Sequence, residues 1–373
     1  MANKFYQWQK LLSRVGLGKG EGQESKIKKF AFLIHPRTTS DAVRKLSIAK
    51  ILPSQVIDFI IEKWGFLICS HFKVNNSLEG YLIGVGFTAK RIMSLPPEKV
   101  RRVILKAILF AQNKLNVKWI GLGALTTSVT AGGTWLVEQP EVSTVITHGD
   151  TYGVAVAEEG IEKILNICRF EKEKTKIAVV GAFGLIGREI AKFLVRKGYL
   201  LILIEKTEEK VNLIAEEFKK INLENRIFNT STNLKDILPA DLVIAATSHP
   251  LALLKSEYLK KGVIIYDIAQ PMNASPELIK ERPDIIRIDG AYVDIDGIDL
   301  KFKMGPPKGT TFACLVETMM MALEGENSHR VGEIDPSFIE KTKQWAKKYG
   351  FGHASFTCFG RPISFENLFK NRK

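Results

Sequence analysis

Apolar residues recur along this chain with two rhythms, short continuous runs and helical spacing, and their order gives the architecture. From Lys176 the sequence KIAVVGAFGLIGREIAKFLVRKGYLLILIEK reads as an apolar strand, a glycine turn, an amphipathic helix ending at Lys197-Gly198 and a second apolar strand. That is a complete βαβ unit. DLVIAAT (241–247), VIIYDIA (263–269) and IIRIDG (285–290) continue the rhythm as short apolar runs, as parallel strands buried on both faces do. Upstream, FAFLIH and WGFLIC read as strands. Val100, Val103, Ile104, Ala107, Ile108, Ala111 and Leu115 recur at helical spacing after a Ser-Leu-Pro-Pro start, which predicts a helix with one core face and one basic face. KWIGLGALTTSVTAGG places a strand before a Gly/Thr/Ser-rich loop. STVITHGDTYGVAVAEEGIEKIL places the polar cluster 147–151 before a helix that Asp150 or Thr151 can cap. These loops suit ligand contact and helix capping equally.

The predicted fold class is α/β: a doubly wound Rossmann domain plus a second α/β substrate domain formed by N-terminal and C-terminal segments. The expected boundaries are a basic N-terminal tail over 1–29, a substrate (acyl) domain over 30–165 and a dinucleotide-binding domain over 170–300. Residues 301–373 then return to the substrate domain and end in a basic tail. A chain of 373 residues suits two such cores, since single cores stop growing near ~250 residues.

Composition is that of a globular protein, 45% hydrophobic and 25% charged. No run approaches the ~20 apolar residues of a membrane span, and the opening MANKFYQWQK lacks the apolar core of a signal peptide, so a cytoplasmic protein is expected. The four cysteines form no CxxC pair, which indicates free thiols and no metal site. Net charge is +14, and most of it sits at the ends: residues 1–29 carry +5 and residues 341–373 carry +7. A further basic stretch runs from Lys90 to Lys118. Such a pattern fits an acidic partner or simply a solvated surface.

Gly181, Gly184 and Gly187 are spaced G-x-x-G-x-x-G between strand and helix, where glycine lets backbone approach a pyrophosphate at the helix N-terminus. Leu185 and Ile186 open that helix. Glu205 ends the second strand, 24 residues after Gly181, where an acid would bond the ribose of NADH; Lys206 beside it would favour the 2′-phosphate of NADPH. Thr247 and Ser248 follow the next strand and should border the cofactor, with His249 as a loop histidine.

GTTFACLVETMMMALEG (309–325) reads as a helix with Cys314 in its first turn and Thr310 or Thr311 as its cap. A helix N-terminus lowers a thiol's pKa, because the dipole favours the anion; against this stands the ordinary buried cysteine. Cys69, Cys168 and Cys358 are expected to be structural.

Three segments, RRVILKAILFAQNKLNVKWIGLGALTTSV, THGDT with GAFGLIG downstream, and FACLVE, together resemble the long-chain acyl-[acyl-carrier-protein] reductases, which form fatty aldehydes on a scaffold akin to shikimate dehydrogenase. The resemblance covers about residues 95–325. It implies that Cys314 is acylated by a fatty acyl thioester and that NADPH or NADH then reduces the acyl group to the aldehyde. Two positions depart from the family pattern: Glu205-Lys206, where a basic residue is usual, and Thr147-His148-Gly149-Asp150, where the family has T-x-G-N.

On that reading Ser128, Thr147, His148 and Asp150 are candidate oxyanion or substrate contacts. The partner is an acyl carrier protein or acyl-CoA, with no nucleic acid, and Arg101, Arg102 and Lys106 are the docking patch. Phe5, Trp8, Leu12 and Val15 share a helical face beside Lys4, Lys10 and Arg14, which suits peripheral membrane contact or a flexible tail. The alternatives are a shikimate/quinate-type dehydrogenase acting on a small polar acid, and a non-catalytic regulator that binds nucleotide or acyl carrier.

Overall fold

A computed structural model describes residues 27–42, 52–221, 223–249 and 251–363. The apolar face at Phe5, Trp8, Leu12 and Val15, and the end of the basic C-terminal tail, lie outside the described residues.

The first sheet is built from β1 (Lys28–Ile34), β2 (Phe66–Asn75), β3 (Leu78–Val85), β4 (Trp119–Leu122) and β5 (Val145–Thr147), with α1 (Ser54–Trp64) and α2 (Pro97–Leu115) between them. Its order is β2-β3-β1-β4-β5, and only β2 runs antiparallel to its neighbour. The β2–β3 hairpin turns where the Asn75 side chain accepts the backbone N–H of Ser77 at 2.8 Å. Alternation in β1 sends Phe30 and Phe32 into one core and Ala31 and Leu33 into the other. The second core is completed by α2, whose Val100, Ile104, Ala107, Ile108, Ala111 and Leu115 are buried as their spacing predicts. Asn116 ends that helix in the left-handed region at φ 55.

The second sheet contains β6 (Lys176–Val180), β7 (Leu200–Ile204), β8 (Ile227–Ser231), β9 (Leu242–Ala245), β10 (Ile264–Asp267) and β11 (Ile286–Asp289), with α5 (Glu208–Lys220) between β7 and β8. Every pairing is parallel, and the order β11-β10-β9-β6-β7-β8 reverses between β6 and β9. This is the doubly wound dinucleotide fold the sequence predicts, with its switch point at the start of α4 (Leu185–Arg196). Two helices tie the units together: α3 (Asp150–Ile167), which precedes the second sheet, and α6 (Ala313–Glu324), which follows it.

The chain returns through β12 (Tyr292–Asp294) and β13 (Thr310–Phe312) into α6, then α7 (Pro336–Tyr349). On α6, Met319, Met320 and Met321 are wholly buried, each such burial being worth roughly 1.5–3 kcal/mol. The helix lies so close on β4 that a Cβ at Gly121 would fall 2.0 Å from Thr318 Oγ1. Beneath β10 and β11, Arg287 pairs with both Asp267 and Asp289 while all three are buried, and Thr357 and Gly360 donate to Asp289. The last described segment is thereby pinned to the nucleotide sheet. No helix among the described residues is long and apolar enough to cross a membrane.

Candidate active site

Cys314 sits at the start of α6, but not in the electrostatic setting expected of it. Residues 310–312 are a strand, so neither Thr310 nor Thr311 caps the helix; the N-cap is Phe312, without a side-chain bond. Thr311 pairs with Val293 across the small sheet and is fully buried. The N–H groups of Cys314 and Leu315 do favour the thiolate, yet burial, reinforced by Asp150 and then Glu317, outweighs them and pushes the Cys314 thiol well up. The expected lowering by the helix dipole is therefore overturned by desolvation and two neighbouring acids.

The polar loop 147–151 is held against this helix by one side chain. Glu317, fully buried, accepts from Thr147 Oγ1 at 2.5 Å and from the Tyr152 N–H at 2.7 Å. It thus takes up one orphan donor at the N-terminus of α3, whose N-cap is Gly149 at φ 75, while the His148 ring takes up another. Asp150 and Thr151, the expected caps, lie inside the helix. Gly149 faces Cys314 so closely that a Cβ would stand 2.4 Å from the Cys314 Cβ.

Asp150 lines the main cavity, and burial, with Glu317 next, raises its carboxyl to about 8. His148 is buried; its Nδ1 accepts the Asp150 N–H at 2.9 Å, and burial lowers its pKa to about 4, so the ring is neutral. The His148 backbone N–H donates to the Arg330 carbonyl at 2.9 Å. Of the four expected oxyanion or substrate contacts, Ser128 and Asp150 line the cavity, whereas Thr147 and His148 are spent on the scaffold behind it.

That cavity, about 3130 Å³, joins three walls. The nucleotide wall is Phe183, Gly184, Leu185, Ile186, Thr247 and Ser248. The first turn of α4 has no side-chain cap, so its N–H groups remain available to an anion. The glycines divide their work. Gly181 turns at φ +87, Gly184 faces the cavity, and a Cβ at Gly187 would fall 2.1 Å from the Gly181 carbonyl oxygen. Glu205 is buried with Oε1 accepting the Phe183 N–H at 2.7 Å and Oε2 the Lys206 N–H at 3.1 Å, so it braces the glycine turn. Lys206 is exposed beyond it. These residues fit a dinucleotide.

The second wall carries Cys314 and Gly149. The third is an apolar arm along the first sheet, lined by Phe59, Ile60, Trp64, Leu67, Ile68 and Cys69. Helix α1 covers it and rests on Gly86, where a Cβ would lie 2.1 Å from the Ile61 carbonyl oxygen. Sequence reading missed this arm, the bracing role of Glu317, and the loop 295–310 that completes the rim. The position of Glu317 three residues after Cys314 was the one available signal. Ala124, Ala131 and Ala291, all in the left-handed region, also line the cavity, and such strained backbone clusters at functional sites.

The proposed docking patch is different in kind. Arg101 Nε donates to the Val129 carbonyl at 2.6 Å and its guanidinium lies 5.4 Å from the Trp135 ring centre. Arg102 and Lys106 are exposed, and neither lines the cavity. Among the described residues no group of three or more His, Cys, Asp and Glu is placed to hold a metal ion.

Comparison with known proteins bears on the nucleotide side. Residues 162–290 match the shikimate / quinate 5-dehydrogenase family profile. A glutamyl-tRNA reductase of Thermosipho melanesiensis is 30% identical over 166 residues, covering 44% of this chain and 41% of that protein. The aminotransferase PigE of a Serratia sp. is 24% identical over 263 residues, covering 67% of this chain and 29% of that protein. The chain thus spans less than half the length of these curated relatives. Among solved structures, an NAD-dependent malic enzyme from Thermotoga maritima superposes with a TM-score of 0.41 at 15% identity, over 93% of this chain and 84% of that one. Residues 162–290, which hold the glycine turn and its parallel sheet, are thus similar to the shikimate / quinate 5-dehydrogenase family, and this Rossmann unit is built to take NADPH or NADH.

Proposed function

We propose that this protein reduces a long-chain fatty acyl thioester to the fatty aldehyde through an acyl-enzyme on Cys314. The observation that carries the reading is that Cys314, the uncapped nucleotide turn and the apolar arm line one continuous cavity. A hydride donor, a nucleophile and room for an acyl tail are the three needs of that reaction.

The fraction of Asp150 that is ionised near neutrality takes the proton of Cys314, whose sulfur attacks the acyl carbonyl carbon. The bond to the carrier sulfur breaks, and the departing thiolate takes the proton back from Asp150. The glycine turn at Gly181, Gly184 and Gly187 would hold NADPH or NADH, which would supply the hydride. Cys314 keeps the acyl carbon in place as the hydride and one proton drawn from solvent reduce it to a thiohemiacetal; the carbon–sulfur bond then breaks as the hydroxyl proton passes to the Cys314 sulfur, which restores the thiol and releases the aldehyde. The N–H groups of Cys314 and Leu315 stabilise the thiolate at both ends of this cycle. Asp150, with its pKa raised to about 8, is suited to giving and taking a proton near neutrality.

A dehydrogenase of small polar acids is the second reading, favoured by the family match over 162–290. That match covers the nucleotide side, whereas the substrate side presents phenylalanine, tryptophan, isoleucine and leucine, which a small polar acid does not need. The named reductase among the relatives acts on glutamyl-tRNA, an activated carboxyl group, which agrees with the thioester reading.

The deciding experiment is intact-mass spectrometry after incubation with a long-chain acyl thioester and no nicotinamide cofactor. An acyl adduct on wild type, absent from Cys314→Ala and discharged as aldehyde by NADPH or NADH, supports the reading. A folded, cofactor-binding protein that forms no adduct moves the assignment to the dehydrogenase.

A further inference from the structure

The rim of the cavity on the substrate side is formed by the loop between β12 and β13, which leads directly into the helix of Cys314. Residues 295–310 line the cavity without interruption. The loop closes where the Ile295 N–H donates to the Gly309 carbonyl at 2.7 Å. It is anchored on the first sheet, not on the nucleotide sheet: Ser70 Oγ of β2 donates to the Leu300 carbonyl at 2.6 Å, and Gly305 packs beside the Arg37 guanidinium.

Three lysines of this loop, Lys301, Lys303 and Lys308, are exposed and line the cavity. No salt bridge engages any of them among the described residues. Of the acids that share this rim, Asp299 accepts the Lys301 backbone N–H at 2.9 Å and Asp41 is paired with Arg37 at 3.2 Å, while Asp296 forms no salt bridge with the three lysines. Elsewhere lysines of the return segment are neutralised, as Lys341 is by Glu326, Lys343 by Glu158 and Lys348 by Glu324. Unpaired cations gathered at the mouth of a reactive cavity are where an anionic substrate handle is received.

Resting on the thioester reading above, we infer that Lys301, Lys303 and Lys308 receive the phosphopantetheine phosphate of an acyl carrier protein, so that the acyl chain enters along this loop toward Cys314. This moves the docking surface from Arg101, Arg102 and Lys106 on α2 to the cavity rim. The phosphate is built into the phosphopantetheine arm, and its charge would be met at the entrance while the tail passes on to the apolar arm.

The test compares wild type with Lys301→Glu/Lys303→Glu/Lys308→Glu and with the milder triple glutamine variant on three thioesters of one fatty acid: the acyl carrier protein, coenzyme A, and N-acetylcysteamine, which has no phosphate. The expected result is a rise in KM for the carrier of about tenfold, with kcat, the KM for NADPH or NADH and the N-acetylcysteamine reaction unchanged. An unchanged KM for the carrier overturns the inference, even if that for coenzyme A rises. An equal loss on the N-acetylcysteamine thioester also overturns it, because the lysines would then act on fold or chemistry. Fluorescence anisotropy of labelled holo-carrier protein reads binding without turnover and should show the same weakening. Wild type inert toward all three thioesters would instead remove the thioester reading, and this inference with it.

Discussion

Glu317 of α6 accepts a hydrogen bond from Thr147 Oγ1 at 2.5 Å, so the residue three places beyond the candidate nucleophile holds the loop that faces it. The other carboxylate oxygen accepts the Tyr152 N–H at 2.7 Å, which makes one buried side chain both a loop clamp and a helix cap. Glu317→Ala leaves a buried hydroxyl and a buried N–H without an acceptor and should destabilise the protein by about 2–3 kcal/mol. Urea denaturation would show it. Glu317→Gln, which keeps one acceptor oxygen, should lose less; equal stability of Glu317→Ala and wild type would contradict the clamp.

Asp150 gives the site a pH signature in stability. Its carboxyl is raised from 3.8 to about 8 by burial and then by Glu317, so between these values the folded protein holds a proton that the unfolded chain has released. Stability from this group therefore falls as pH rises from about 4 to about 8 and stays low above that. Asp150→Asn removes the titration. Its melting temperature relative to wild type should climb across that window and level off beyond it; a constant difference would mean that Asp150 titrates normally.

Much of this site was legible in the sequence because its parts are local. The glycine triplet, the strand before it and the helix after it occupy one continuous stretch, and Gly181, Gly184 and Gly187 take the positions their spacing implies. The helix of Val100 to Leu115 was legible for the same reason, since its periodicity is its burial pattern. What escaped depends on partners distant in sequence. Asp150 and Thr151 look like caps from their neighbours, yet the acceptor comes from Glu317, more than 160 residues away. Cys314 looks activated by its helix, but the acids that raise its pKa include Asp150, on another helix. The apolar arm escaped because Leu67 and Ile68 read as core until the fold shows which apolar side chains are left facing a void.

Cys314 should accordingly be sluggish in the free enzyme. With the thiol pushed up by burial and by Asp150, iodoacetamide at neutral pH should modify it roughly tenfold or more slowly than free cysteine. Peptide mapping separates it from Cys69, Cys168 and Cys358, which are also free. Above about pH 8, where Asp150 carries its charge, Asp150→Asn deletes the larger of the two opposing charges and should speed the reaction. Rapid alkylation of the wild type at neutral pH would show a thiolate already formed and remove the need for a proton acceptor.

The apolar arm predicts a dependence on acyl chain length that no feature of the nucleotide side would produce. Leu67, Ile68 and Cys69 lie on β2, with Phe59 and Trp64 of α1 above them, so a tail bonded to Cys314 would lengthen into this strand–helix gap. Leu67→Trp fills part of that space without touching Cys314, Asp150 or the glycine turn. Loss of apolar fit of this size should lower kcat/KM for a palmitoyl thioester by about 10–200-fold, while a butyryl thioester, too short to reach the tryptophan, reacts as before. The expected readout is a crossover in preference toward short chains at unchanged affinity for NADPH or NADH. Equal losses on both thioesters would place the acyl tail elsewhere, and unchanged rates on both would mean that the arm stays empty during turnover.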